Sequence, residues 1–160
     1  AERKTLGIGQ AGRDAPPVLE PAEHDLDAVT PLVSPLIITF VLSEGPVGTR
    51  ACWCRTCQYL CSGNASFSVF FRQRALSVFG EPAEFLSLSD AGNLIRRRFC
   101  PQCGTPLFAD APIEPEYLIV RLGALDDRQI CNPASIVWTA SAPSWAWFDH
   151  DKPSFPGQPS

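Results

Sequence analysis

The chain has 160 residues, of which 45% are hydrophobic, with a formal net charge of −4 and seven cysteines. That length suits a single domain with a real core. The acidic balance excludes a general attraction to nucleic acid or anionic lipid and leaves only a local basic patch for such partners.

In chain order, residues 1–34 are rich in Gly, Pro and acidic side chains and show neither strand nor helix periodicity, which predicts an unstructured N-terminal arm. No charged segment followed by an apolar one opens the sequence as in a secretory leader. The expected compartment is the cytoplasm, where thiols stay reduced. The longest apolar run, at 35–42, is far short of the roughly 20 residues of a membrane span and reads as a buried strand. Further short segments at 66–71, 75–80, 84–89, 94–99, 105–109, 116–123 and 135–140 carry β-branched and aromatic residues between Gly, Pro, Asn and Asp turns. Apart from one helical turn near 58–64, the expected fold class is mainly β, over a domain of 35–150. Residues 151–160 are expected to be a loose C-terminal tail.

Four cysteines, Cys52, Cys54, Cys57 and Cys61, fall within ten positions, and Cys100 and Cys103 follow in the sequence Arg-Phe-Cys-Pro-Gln-Cys-Gly. Close cysteines in a reducing compartment point to metal or catalysis before disulfides. Cys100 and Cys103 form a zinc-knuckle sequence: two-residue spacing lets both sulfurs reach one ion at ~2.3 Å, and Gly104 lets backbone N–H groups turn toward the thiolates. Cys52, Cys54 and Cys57 can surround one ion with three sulfurs and leave a fourth position open, the mark of a catalytic zinc. A rival arrangement joins Cys54 and Cys57 to Cys100 and Cys103 in one closed site whose role is stability.

Together with "CWCRTCQYLCSGNASFSVFF", "GNLIRRRFCPQCGTPLF", "YLIVRLGALDD" and "PASIVWTASAPSWAWFD", in that order, these motifs resemble the glutathione-dependent formaldehyde-activating enzyme family across about residues 43–155. The resemblance implies the Mss4-like β-tent zinc fold that the family shares with centromere protein V. It also implies that Cys52, Cys54 and Cys57 are catalytic zinc ligands, and that Cys100 and Cys103 are half of a separate structural zinc site. The implied reaction is a carbon–sulfur lyase step in which a glutathione thiol adds to formaldehyde, giving an adduct of the S-hydroxymethylglutathione type, or the reverse. The alternative is a non-catalytic zinc-binding module for protein or nucleic-acid partners.

One feature departs from the family pattern. Residues 1–51 contain no cysteine, so the upstream Cys-x-Cys-Gly that completes the structural site in relatives has no counterpart. Trp53 stands where many relatives have His. The expected cofactor is Zn²⁺ and the expected partner is a small thiol such as glutathione, with no membrane and no nucleic acid. Arg55 and Arg97 are candidates for docking the carboxylates of glutathione, although a solvated or ion-paired face is the plainer reading of Arg96–Arg98. Trp138, Trp145 and Trp147 either wall a substrate cleft or pack as aromatic core. His24 and His150 read as surface residues, and Cys61 and Cys131 as spare thiols.

Overall fold

Where alternation is clean, the strands form as their side chains require. The computed structural model describes residues 38–90 and 92–159, so the expected arm at 1–34 lies outside the described residues. The fold is mainly β. Nine strands are found among the described residues: β1 (Thr39–Leu42), β2 (Gly48–Cys52), β3 (Ser66–Arg72), β4 (Leu76–Phe79), β5 (Ala83–Leu88), β6 (Leu94–Phe99), β7 (Pro106–Asp110), β8 (Tyr117–Arg121) and β9 (Ser135–Val137). A single short helix, α1 (Arg55–Leu60), follows β2. Seven strands make one sheet in the order β5-β6-β7-β8-β3-β2-β9, and β1 pairs with β4 in a separate ribbon. All pairings are antiparallel except β2 with β9.

The two faces of the large sheet differ in chemistry. On one face Val69, Phe71, Phe108, Leu118 and Val120 are fully buried, each contributing about 1.5–3 kcal/mol. The β1–β4 ribbon covers them with Phe40, Leu42, Leu76 and Val78, and Phe40 meets Phe108 edge to face at 4.9 Å. The described part of the run, from Ile38 to Leu42, is less buried than expected: Ile38, Phe40 and Leu42 face the core, whereas Thr39 and Val41 are exposed. It lies in a two-stranded ribbon with one face open, not in the middle of a sheet.

β6 shows how alternation sorts three consecutive arginines. Arg96 and Arg98 stand over β7 on the core face and share Asp110, at 2.9 and 3.1 Å. Arg98 also lies over the Phe108 ring. Arg97 projects from the opposite face, as the two-residue side-chain period dictates.

The C-terminal segment is not loose. Ser154 bridges Ile136 in parallel, and Ile136 N–H donates to Pro153 O, Phe155 N–H to Ile136 O, and Trp138 N–H to Gly157 O. Phe155 packs beside Val137, Cys52 and Cys54. The expected loose tail instead satisfies the backbone groups that β9 would otherwise leave unpaired at the sheet edge. Among the described residues, no helix is long and apolar enough to cross a membrane.

Asp110 is almost wholly buried and is the shared counter-ion for two guanidinium groups. Replacing it with alanine leaves the half-buried Arg98 without its carboxylate partner, so Asp110→Ala should destabilise the domain by about 1.5–3 kcal/mol, read from the urea midpoint. An unchanged midpoint would mean that Arg98 reaches solvent instead.

Candidate metal centre

The site begins where β2 stops. Cys52 is the last residue of that strand, paired on one side with Ser66 of β3 and on the other with Val137 of β9. Trp53 N–H extends the ladder by one bond to Val137 O. The chain then turns into α1 with Cys54 as its N-cap, whose sulfur accepts from Cys57 N–H at 3.4 Å. A six-residue helix is too short to persist alone, and two side chains hold it. Asp90, from the β5–β6 turn, accepts from Arg55 N–H at 2.8 Å and from the Thr56 hydroxyl at 2.7 Å. Gln58, buried, donates to Trp53 O at 2.6 Å and Ser141 O at 2.9 Å.

This path brings the sulfurs of Cys52, Cys54 and Cys57 within 4.8 Å of one another. Cys52 and Cys54 are buried and Cys57 is half-buried. Three soft donors converging at that separation fit a thiophilic ion such as Zn²⁺. Among the described residues no other His, Cys, Asp or Glu completes a metal-binding group. The rival closed site is thus not formed, because Cys100 and Cys103 do not join Cys54 and Cys57.

Three crowded thiols cannot all carry charge. Cys54 accepts hydrogen bonds from Cys52 and Cys57 and from the backbone N–H groups of Cys57 and Thr56, which together lower its pKa to about 2. Cys52 donates to Cys54 and is pushed up to about 11. Cys57, bonded to Cys52 and then Cys54 and also buried, is pushed up as well. The resting cluster therefore holds one thiolate and two protonated thiols.

Around the cluster, the face of the sheet opposite the main core is cationic. Arg97, Arg121, Arg50, Ser68, Ser66 and Cys52 share it by register and alternation. Arg121 donates to the hydroxyls of Ser66 and Ser68, and Ser66 is the cross-strand partner of Cys52. Arg97 donates to Ser87, and its Nε is buried without a partner. Burial chiefly, and then the nearby Arg121, lower the Arg97 pKa, while Cys57 and Cys54 act in the opposite direction. Among the described residues neither Arg97 nor Arg121 has a carboxylate within ion-pair distance. Both line a cavity of about 360 Å³ with Leu60, Phe85, Phe99, Arg98 and Glu84, inside the roughly 300–1,000 Å³ typical of small-molecule sites.

The remaining sequence candidates fall elsewhere. The Arg55 guanidinium is engaged within α1, donating to Gln58 Oε1 at 2.6 Å and lying over Tyr59. Trp138 packs against the cysteine cluster with φ at +60°, a left-handed conformation that costs about 1–3 kcal/mol for a bulky residue. Trp145 meets Trp53 edge to face, and Trp147 lines a separate apolar cavity of about 200 Å³. His150 packs near Phe148, and His24 lies outside the described residues. Sequence reasoning missed Gln58, Asp90, Ser66 and Arg121. Of these only Arg121 left a signal, being a charged residue that ends an otherwise apolar strand.

With this geometry in hand, the chain was compared with known proteins. A family model described as "Glutathione-dependent formaldehyde-activating enzyme" matches residues 37–141. No curated protein gives a match. Among solved structures, the crystal structure of a Rhodobacter sphaeroides protein, a structural genomics target, is similar at 22% identity and a TM-score of 0.41. The likeness covers 56% of this chain and 78% of that one.

Zinc held by three thiolates would displace the protons of Cys52 and Cys57, while Cys54 has none to give up. Zinc affinity should therefore rise with pH by about two log units per pH unit near neutrality, up to the pH of about 11 at which Cys52 ionises unaided. Competition titration against a chelator across pH checks this; a flat profile would mean that the thiols are already ionised. Gln58→Leu should weaken zinc binding by about 10–100-fold, with all three ligands intact, because it unties α1 from Trp53 and Ser141.

Proposed function

The chain belongs to the glutathione-dependent formaldehyde-activating enzyme family, and from that premise we propose that it is a zinc-dependent carbon–sulfur lyase acting on a glutathione–aldehyde adduct. The observation that carries this reading is the convergence of three cysteine sulfurs, with no fourth protein donor among the described residues, near Arg97, which lines a cavity with Arg121, Arg98 and Glu84. Cys52, Cys54 and Cys57 would hold the zinc. When bound, it would supply a place where a substrate thiol loses its proton near neutral pH.

The protein's own groups account for the rest. Arg97 and Arg121 present a cationic surface suited to the carboxylates of a tripeptide thiol. Ser66 and Ser68 hold Arg121 in place, and Ser87 holds Arg97, so that little side-chain freedom is lost when an anion docks. Arg55, bonded inside α1, is assigned to stiffening the metal loop, and the second docking role passes to Arg121. Leu60, Phe85 and Phe99 give the cavity apolar walls that strengthen charge pairing within it. Holding the substrate's carboxylates would fix its sulfur relative to the cysteine cluster. Since formaldehyde needs little electrophilic activation, proximity is the main contribution required.

Calorimetric titration of zinc-loaded protein tests the reading. Glutathione should bind with an affinity that rises with pH until its thiol is ionised, and S-methylglutathione should bind about tenfold or more weakly, or about 1.4 kcal/mol. Arg121→Ala should weaken glutathione by about 1.5–3 kcal/mol, the value of charge-assisted hydrogen bonds, without changing zinc content. Equal binding of the thiol and its methyl ether would overturn the lyase reading in favour of a partner-binding zinc module.

A further inference from the structure

Cys100 and Cys103 keep the shape of a zinc knuckle, with no further donor beside them among the described residues. The turn between β6 and β7 is formed in full: Gly104 N–H donates to Cys100 O at 2.9 Å, Cys100 N–H to Thr105 O at 3.0 Å, and Gly104 sits at φ +73°. Residues 1–51 supply no cysteine to a four-sulfur site. The other cysteines do not substitute. Cys61 caps the end of α1, and Cys131 packs against the main core. Among the described residues no third donor approaches the pair closely enough to make a metal group. Among the described residues, the second zinc site implied by the family therefore finds no complete donor set.

What remains is a two-residue-spaced dithiol with unequal exposure. Cys100 is buried, and Cys103 is exposed with its sulfur 3.1 Å from the Thr105 hydroxyl. Both line a cavity of about 750 Å³ bounded by β1 and the residues after β8, room enough for a small reagent to reach the outer sulfur. We propose that Cys100 and Cys103 form a reversible redox site that exchanges with low-molecular-weight disulfides, glutathione disulfide above all, in place of a structural zinc.

The exchange balances without a metal. The Cys103 thiolate attacks one sulfur of glutathione disulfide, a mixed disulfide forms, and the S–S bond of the reagent breaks to release one glutathione thiolate. Cys100 then attacks the Cys103 sulfur, closes the intramolecular disulfide and releases the second glutathione. Two protein thiols are oxidised, one glutathione disulfide is reduced to two glutathione molecules, and the two thiol protons end on them. The exposed member is the one a reagent can reach, and the buried member is shielded until it resolves the intermediate.

The test uses the full chain, zinc-loaded, equilibrated in buffers of increasing glutathione disulfide to glutathione ratio, acid-quenched, alkylated and mapped by mass spectrometry. A disulfide between Cys100 and Cys103, read as the loss of two hydrogens and of both alkyl groups from the one peptide that carries them, should grow with the ratio and vanish under dithiothreitol. Cys100→Ser should trap a mixed disulfide with glutathione on Cys103, and Cys103→Ser should leave Cys100 unmodified. Full alkylation of both cysteines at excess glutathione disulfide would overturn the proposal. So would a second zinc per chain that disappears in Cys103→Ser. The wild-type measurement decides even where a variant does not fold.

Discussion

Three sulfurs held within 4.8 Å are the constraint around which the rest of the site is built. Without a cation such a cluster tolerates about one negative charge, and its two remaining protons are kept at the expense of buried, crowded thiols. The fold holds the sulfurs together by backbone means. Cys52 is fixed by strands on both sides, Cys54 by its role as a helix cap, and Cys57 by a helix that Asp90 and Gln58 tie down. The left-handed Trp138 belongs to the same arrangement. It lies where β9 must leave the sheet next to Val137, and its strain is sustained by packing against the cysteines. Such strain persists only where the surroundings over-determine the conformation.

The second organising principle is the separation of the sheet's faces. Residues 96–98 illustrate it in three consecutive arginines, two sharing Asp110 over the core and one delivered to the cationic side. Because side chains alternate strictly, a one-residue slip of β6 would exchange these roles. It would turn Arg97 toward the core and present Arg96 and Arg98 beside the cysteines. The register that keeps Asp110 satisfied is the same register that places a guanidinium without a carboxylate near the three cysteines, so stability and site composition are set by one pairing.

Much of this was legible in the sequence because strands such as β3, β6 and β8 carry their own pattern. The segment 94–99 coincides with β6, and 66–71 falls within β3. The spacing of Cys52, Cys54 and Cys57 pointed to the convergence of sulfurs that the fold makes, and the family likeness separated it from the closed alternative. What escaped was structure imposed from outside the segment. β2, Gly-Thr-Arg-Ala-Cys, has little strand propensity of its own and exists because β3 and β9 flank it. Gln58 and Asp90 act on residues that the fold brings near, and no local pattern marks them. Arg55 attracted attention by sitting between ligands, yet its guanidinium is engaged by Gln58 and Tyr59.

The docked C-terminal segment has a bearing on how copies of this protein meet one another. β9 would otherwise be the border of the seven-stranded sheet, a row of unpaired amides beside the cysteine cluster that any extended chain could join. Residues 153–157 occupy that row, and they do so with Pro153 and Pro156, which have no N–H to offer outward. The sheet is finished by a segment poor in donors for a further strand. A border closed in this way guards the metal loop against edge-to-edge self-association.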